Sequence, residues 1–71
     1  MPDHVYAVTE IVGSSSKSID DAIRNAVRTA AQTLRNLHWF EVVETRGMID
    51  GTEVGYFQVT VKIGFRHEDK G

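Results

Sequence analysis

The chain has 71 residues, 8 basic against 10 acidic side chains, a net charge of −2 and no cysteine. That length holds one domain without disulfides or thiolate zinc sites, and the charge forms no basic stripe of the kind a nucleic-acid binder carries. No apolar run is long enough for a signal h-region or a membrane span. A domain of this size buries only about 60% of its unfolded surface, and His4, His38 and His67 are too far apart for a short metal-ligand motif. Oligomerisation is therefore the expected source of stability. The bulk features predict a single soluble, cytoplasmic domain over 1–71, ordered over about 3–67, with no nucleic-acid or membrane partner.

The first predicted element is a strand over Val5 to Val12, rich in β-branched and aromatic residues. Gly13-Ser14-Ser15-Ser16 reads as a loop. From Ser18 the period becomes helical: Ile19, Ala22, Ile23, Ala26, Val27, Ala30, Ala31 and Leu34 form one apolar stripe. Ser18 is the expected N-cap, with Asp20 and Asp21 in the first turn where the helix dipole favours anions. Arg35 is expected in the last turn, and Asn36 in the left-handed conformation that ends a helix.

Two strands follow, roughly Trp39 to Ile49 and Thr52 to Arg66, joined by Asp50-Gly51, the preferred pair for a type I′ hairpin turn. The expected fold is α+β, a β-α-β-β subunit whose three-stranded antiparallel sheet wraps around one helix. A turn at Asp50-Gly51 sets Phe40 opposite Val61, Val42 opposite Val59 and Glu44 opposite Phe57. With Ile63 and Phe65 these form the expected seat of the helix. Trp39, Glu41, Val43 and Thr45, with Tyr56, Gln58, Thr60 and Lys62, then lie on the reverse face. One helix covers one face, so a reverse face with Trp, Val and Tyr calls for another subunit or a flat ligand.

Several side chains invite functional readings, each with a plainer rival. Trp39, the only tryptophan, is either a stacking platform for a planar ring or an interface aromatic. Gln58 offers a donor and an acceptor suited to a heterocycle's edge, or is a solvated strand residue. Gly13 to Ser18 sits between a strand and a helix like a phosphate loop but lacks the second glycine, which favours capping. Its serines have His4 as a nominal base but no orienting acid, so a structural role is expected. Arg46 and Arg66 read as surface ion-pair partners or as phosphate contacts.

The stretch Thr33-Leu34-Arg35-Asn36-Leu37-His38-Trp39-Phe40-Glu41-Val42, then Arg46-Gly47, Phe57-Gln58-Val59-Thr60-Val61-Lys62 and Gly64-Phe65-Arg66, closely resembles the dodecins. His4-Val5-Tyr6, Glu10-Ile11-Val12-Gly13-Ser14 and Ile19-Asp20-Asp21-Ala22-Ile23 match as well, so the resemblance spans residues 4 to 68. It implies a β-α-β-β subunit in a hollow homododecamer that binds flavins in stacked pairs between symmetry-related tryptophans. By the same resemblance Trp39 is the stacking residue and Gln58 bonds the isoalloxazine edge. In members that prefer FMN, arginines at the positions of Arg46 and Arg66 approach the phosphate. The implied role is non-catalytic flavin storage and buffering, with photoprotective quenching by the indole. FMN is the expected flavin, riboflavin or another flavin the alternative. Coenzyme A is a second implied ligand, bound by some bacterial members.

Two positions depart from the family pattern: His38 stands where many members have an acid, and Met48 where several have a polar residue or histidine. The register above also puts Arg46 on the helix face, which calls for a bulge or for service to a neighbouring subunit's ligand. The competing functions are a small flavin-dependent oxidoreductase and a ligand-free structural oligomer. A flavin sandwiched between rings leaves little room for a substrate, and no general acid or base is evident beside it.

Overall fold

A computed structural model describes residues 3–67. Strand β1 (Tyr6–Ser15) leads to helix α1 (Ile19–Ala30), then to the long strands β2 (Leu37–Asp50) and β3 (Glu53–Arg66). The sheet is antiparallel in the order β1-β3-β2, which puts β3 at its centre. The β-α-β-β fold expected from the sequence is the fold observed.

β1 runs three residues past its predicted end, because Gly13, Ser14 and Ser15 pair with Val59, Gln58 and Phe57. Gly13 acts here through packing rather than as a breaker. A Cβ at this position would collide with the Ala22 carbonyl oxygen and approach the Ala26 Cβ to 2.9 Å, so α1 rests directly on the strand. Ser18 caps the helix as expected, its hydroxyl accepting from the Asp21 N–H at 3.0 Å. The helix stops at Ala30, earlier than its stripe suggests, and Arg28 rather than Arg35 occupies the last turn. Bonds from the Gln32 N–H to the Thr29 carbonyl and from the Thr33 N–H to the Ala30 carbonyl tighten the exit. Leu34 packs on the core from outside the helix. Asn36 takes the left-handed conformation, φ 62°, at the entry to β2.

The core is Ala22, Ala26 and Ala30 against Val59, Val61 and Ile63, all buried. Alanines at i, i+4 and i+8 give α1 a smooth ridge that lets its backbone approach the sheet. The helix covers β1 and β3 and barely touches β2. β2 extends beyond the helix, with Phe40 and Val42 half exposed on the helix side.

The hairpin register differs from the one read off the sequence. Asp50 pairs with Glu53, so the turn residues are Gly51 and Thr52. Only Gly51, the first of them, has positive φ, which matches a type II′ turn rather than type I′. Phe40 faces Ile63, Val42 faces Val61 and Glu44 faces Thr60. The ladder shifts at three places: between Leu37 and Trp39, between Val42 and Glu44, and between Met48 and Ile49. At the second shift Val43 is an extra residue, a bulge that inverts the alternation of everything between it and the next shift. Thr45 moves to the helix face, opposite Val59, while Glu44 and Arg46 move to the reverse face.

Candidate functional site

Val59, Val61 and Ile63 point into the core, so Tyr56, Gln58, Thr60, Lys62, Gly64 and Arg66 occupy the opposite face of β3. Residues directly opposite in an antiparallel pair share a face. Trp39 faces Gly64 and Arg46 faces Gln58. All four candidate residues, Trp39, Gln58, Arg46 and Arg66, therefore lie on one side of the sheet. The bulge at Val43 is what brings Arg46 there, resolving its misplacement in the sequence-based register.

The indole of Trp39 lies over Gly64. A Cβ on Gly64 would fall inside contact distance of the indole Cδ2, Cε2 and Cζ2 atoms. The ring settles against bare backbone, leaving Trp39 41% exposed. The Arg46 guanidinium donates to the Glu44 carboxylate at 2.9 Å. Both side chains are about half exposed, so the pair contributes little to stability but holds the cation beside the half-buried Gln58.

The four residues share a face without sharing one pocket. Six residues of β3 separate Gln58 from Gly64, roughly 20 Å at about 3.3 Å per residue. Each chain thus presents an aromatic half, Trp39 with Arg66, and a polar half, Gln58 with Arg46. Met48 lies on the same face, opposite Tyr56.

At the Trp39 end is a cleft of about 290 Å³ lined by His4, Tyr6, Asn36, Leu37, His38 and Arg66. The Tyr6 and His38 rings stack in it with centroids 5.3 Å apart and planes 3° from parallel. A larger groove of about 630 Å³, bounded by Ile23, Val27 and Phe40, lies across the sheet between α1 and β2. Gly64 was not legible as a site residue because its pairing with Trp39 depends on a register that bulges control, and Tyr6 because its stack on His38 crosses strands distant in sequence.

The serine loop serves the helix. Ser15 Oγ accepts from the Lys17 and Ser18 amides at 2.9 and 3.3 Å and donates to Asp21 Oδ2 at 2.7 Å. These contacts engage the loop in capping, and His4 lies beyond the far end of β1, out of reach of the serines. Among the described residues no three metal-ligating side chains cluster, and no helix is long and apolar enough to cross a membrane.

The family model for dodecin matches residues 5–68. The chain belongs to the dodecin family. It is 45% identical over 65 residues to the dodecin of Thermus thermophilus, an alignment covering 92% of this chain and 94% of that one. The solved structure of dodecin from Streptomyces coelicolor superposes with a TM-score of 0.92 at 51% identity, covering 99% of this chain and 100% of that one. Three solved variants of the Thermus dodecin superpose with TM-scores of 0.89 to 0.90 at 41% or 42% identity, over 94% or 96% of this chain and all of theirs. One carries a tryptophan-to-phenylalanine replacement and two carry arginine-to-alanine replacements. Membership in the family supports the reading of a small, oligomeric flavin-binding protein, and these relatives are named as dodecins rather than as enzymes.

Proposed function

We propose that this chain is a non-catalytic flavin-binding and storage protein of the cytoplasm, which buffers FMN within a homododecameric shell and quenches its excited state. The observation that carries the reading is the indole of Trp39 resting on Gly64, on the face that also bears Gln58, Arg46 and Arg66. The residues fit the ligand. Gly64 leaves the space that lets the indole lie down, and the open side of the indole suits stacking on a planar ring. Gln58 supplies a donor and an acceptor for a heterocycle's edge, and the arginines supply cations for a phosphate. When bound, the flavin contributes a photoexcitable, redox-active ring; the protein holds it, orients it and limits its access to water. The residue types replaced in the Thermus variants, tryptophan and arginine, match Trp39, Arg46 and Arg66, and this chain has one tryptophan.

The separation of the two half-sites supports assembly from more than one chain: a ring on one subunit's Trp39 lies far from that subunit's own Gln58. Exposed apolar residues point the same way. Val8, Val12, Trp39 and Tyr56 stand on the reverse face, and Phe40 and Val42 line the groove side, more apolar surface than a lone small domain leaves to water. Coenzyme A is a second candidate ligand.

Replacing Trp39 by alanine tests the reading. Stacking is worth about 1–3 kcal/mol, so flavin affinity should fall roughly five- to a hundredfold, with unchanged circular dichroism and flavin fluorescence left largely unquenched in the residual complex. Unchanged affinity with full quenching would make Trp39 a packing residue. Mass spectrometry of the ligand carried through purification identifies the flavin. A colourless protein that binds no flavin would favour the ligand-free scaffold, and turnover with a reductant and an acceptor the oxidoreductase.

A further inference from the structure

We infer that His38 is a further specificity-determining residue: from the cleft beside Trp39 it donates to a dianionic phosphoryl group alongside Arg66, whose contact the proposed function already includes. The inference deepens the flavin-storage reading and rests on it for the ring that occupies Trp39.

Four polar side chains converge on the cleft: the imidazoles of His4 and His38, the Asn36 amide and the Arg66 guanidinium. Among the described residues no acidic side chain lines it. Every one of these groups can donate a hydrogen bond, and bonds from guanidinium to phosphoryl oxygens are the strong, charge-assisted kind. His38 is held in place by its parallel stack on Tyr6, so little rotamer freedom remains to be lost on binding. The walls are fixed as well, because the Arg66 N–H donates to the Asn36 carbonyl at 3.0 Å and the His67 N–H to the Val5 carbonyl at 2.7 Å. His38 directly precedes Trp39, and Arg66 lies two residues from Gly64 on the same face, about 7 Å along the strand. A ring stacked on the indole therefore has this cleft at its side. The other charges of β1 to β3 on this face, Glu10 and Glu41 beside Lys62 and the Glu44–Arg46 pair, lie further along the sheet.

The test compares FMN with riboflavin, which share the ring and differ in the phosphate. His38→Phe keeps an aromatic ring to stack on Tyr6 and removes both nitrogen donors; His38→Leu, which also lacks a donor, serves if the phenylalanine variant does not fold. Riboflavin affinity should be unchanged while FMN affinity falls roughly tenfold, the size expected for one hydrogen bond to a charged group. Independently, inorganic phosphate added to flavin-free protein should shift the His38 ring-proton resonances saturably, and sodium chloride at matched ionic strength should not. That arm separates a site for any phosphoryl group from one that needs the flavin attached. An FMN-to-riboflavin ratio unaltered by the substitution overturns the inference. If the wild-type protein binds neither flavin, the storage reading fails, and the phosphate titration alone then decides the subsite: no shift overturns it.

Discussion

The indole of Trp39 fills the space where Gly64 has no side chain, so the tryptophan is seated on the backbone of the central strand. The position opposite a large aromatic on an exposed sheet face is ordinarily filled by a side chain that packs against it. Here it is empty, and the ring lies down instead of standing away from the sheet. One side of the indole is fixed by β3 and the other is free for a flat ligand.

Gly64→Ala should therefore displace the ring while leaving the fold intact, since Gly64 does not have positive φ. The expected result is a shifted tryptophan emission maximum, unchanged far-ultraviolet circular dichroism, and a loss of flavin affinity within the five- to hundredfold range set by stacking, about 1–3 kcal/mol. Wild-type emission and affinity in this variant would show that the ring does not depend on the glycine.

Gly13→Ala should act on stability. The added methyl meets the Ala22 carbonyl oxygen, which is helix backbone and cannot rotate away as a flexible side chain could. Relief requires α1 to lift off β1, costing about 1–3 kcal/mol as overpacking does. The midpoint of urea unfolding should fall with little change in its slope. A variant as stable as wild type would mean that the helix has room to move.

Most of the fold was legible because its signals are local. Ser18 and the alanine ridge fall where cap and period rules place them, and Asn36 takes the left-handed conformation expected of it, though at the entry to β2 rather than at the helix end. The register was not legible, because it rests on Val43 and on the displaced turn at Gly51-Thr52, and neither follows from alternation. A bulge is a two-strand property: Val42-Val43-Glu44 reads as continuous strand until it is laid against Thr60 and Val61. Of the site, the residue types were legible and their grouping was not. Trp39 and Gln58 fall on the predicted face, Arg46 reaches it only through the bulge, and Gly64 carries no side chain to announce its role.

The uncovered strip of β2 and the apolar reverse face predict an obligate assembly. Light scattering on purified protein should give a single species near the mass of a dodecamer of 8.0 kDa chains. Placing charge in the groove, as Phe40→Glu, should shift that mass downward, since a carboxylate there is desolvated on association without a partner. A monodisperse monomer of the wild-type protein at micromolar concentration would contradict the assembly.

The arginines allow a test of which chains build a site. Arg46 pairs across from Gln58, eight residues of β3 from Arg66, or roughly 26 Å at about 3.3 Å per residue. That distance keeps both guanidinium groups of one chain from meeting one phosphate. If both contact the same FMN, they come from different subunits. Arg46→Ala and Arg66→Ala should each weaken FMN binding and flatten its salt dependence, with riboflavin affected little, because screening acts on the phosphate contact and hardly on stacking. Oligomers assembled from an equal mixture of the two variants should then regain about a quarter of their sites at wild-type affinity, the fraction in which random mixing supplies both arginines from different chains. The regained sites would appear as a tight first phase in an FMN titration, absent from either variant alone. Arginines acting from a single chain would leave every site in the mixture lacking one of them, and the titration would show no tight phase.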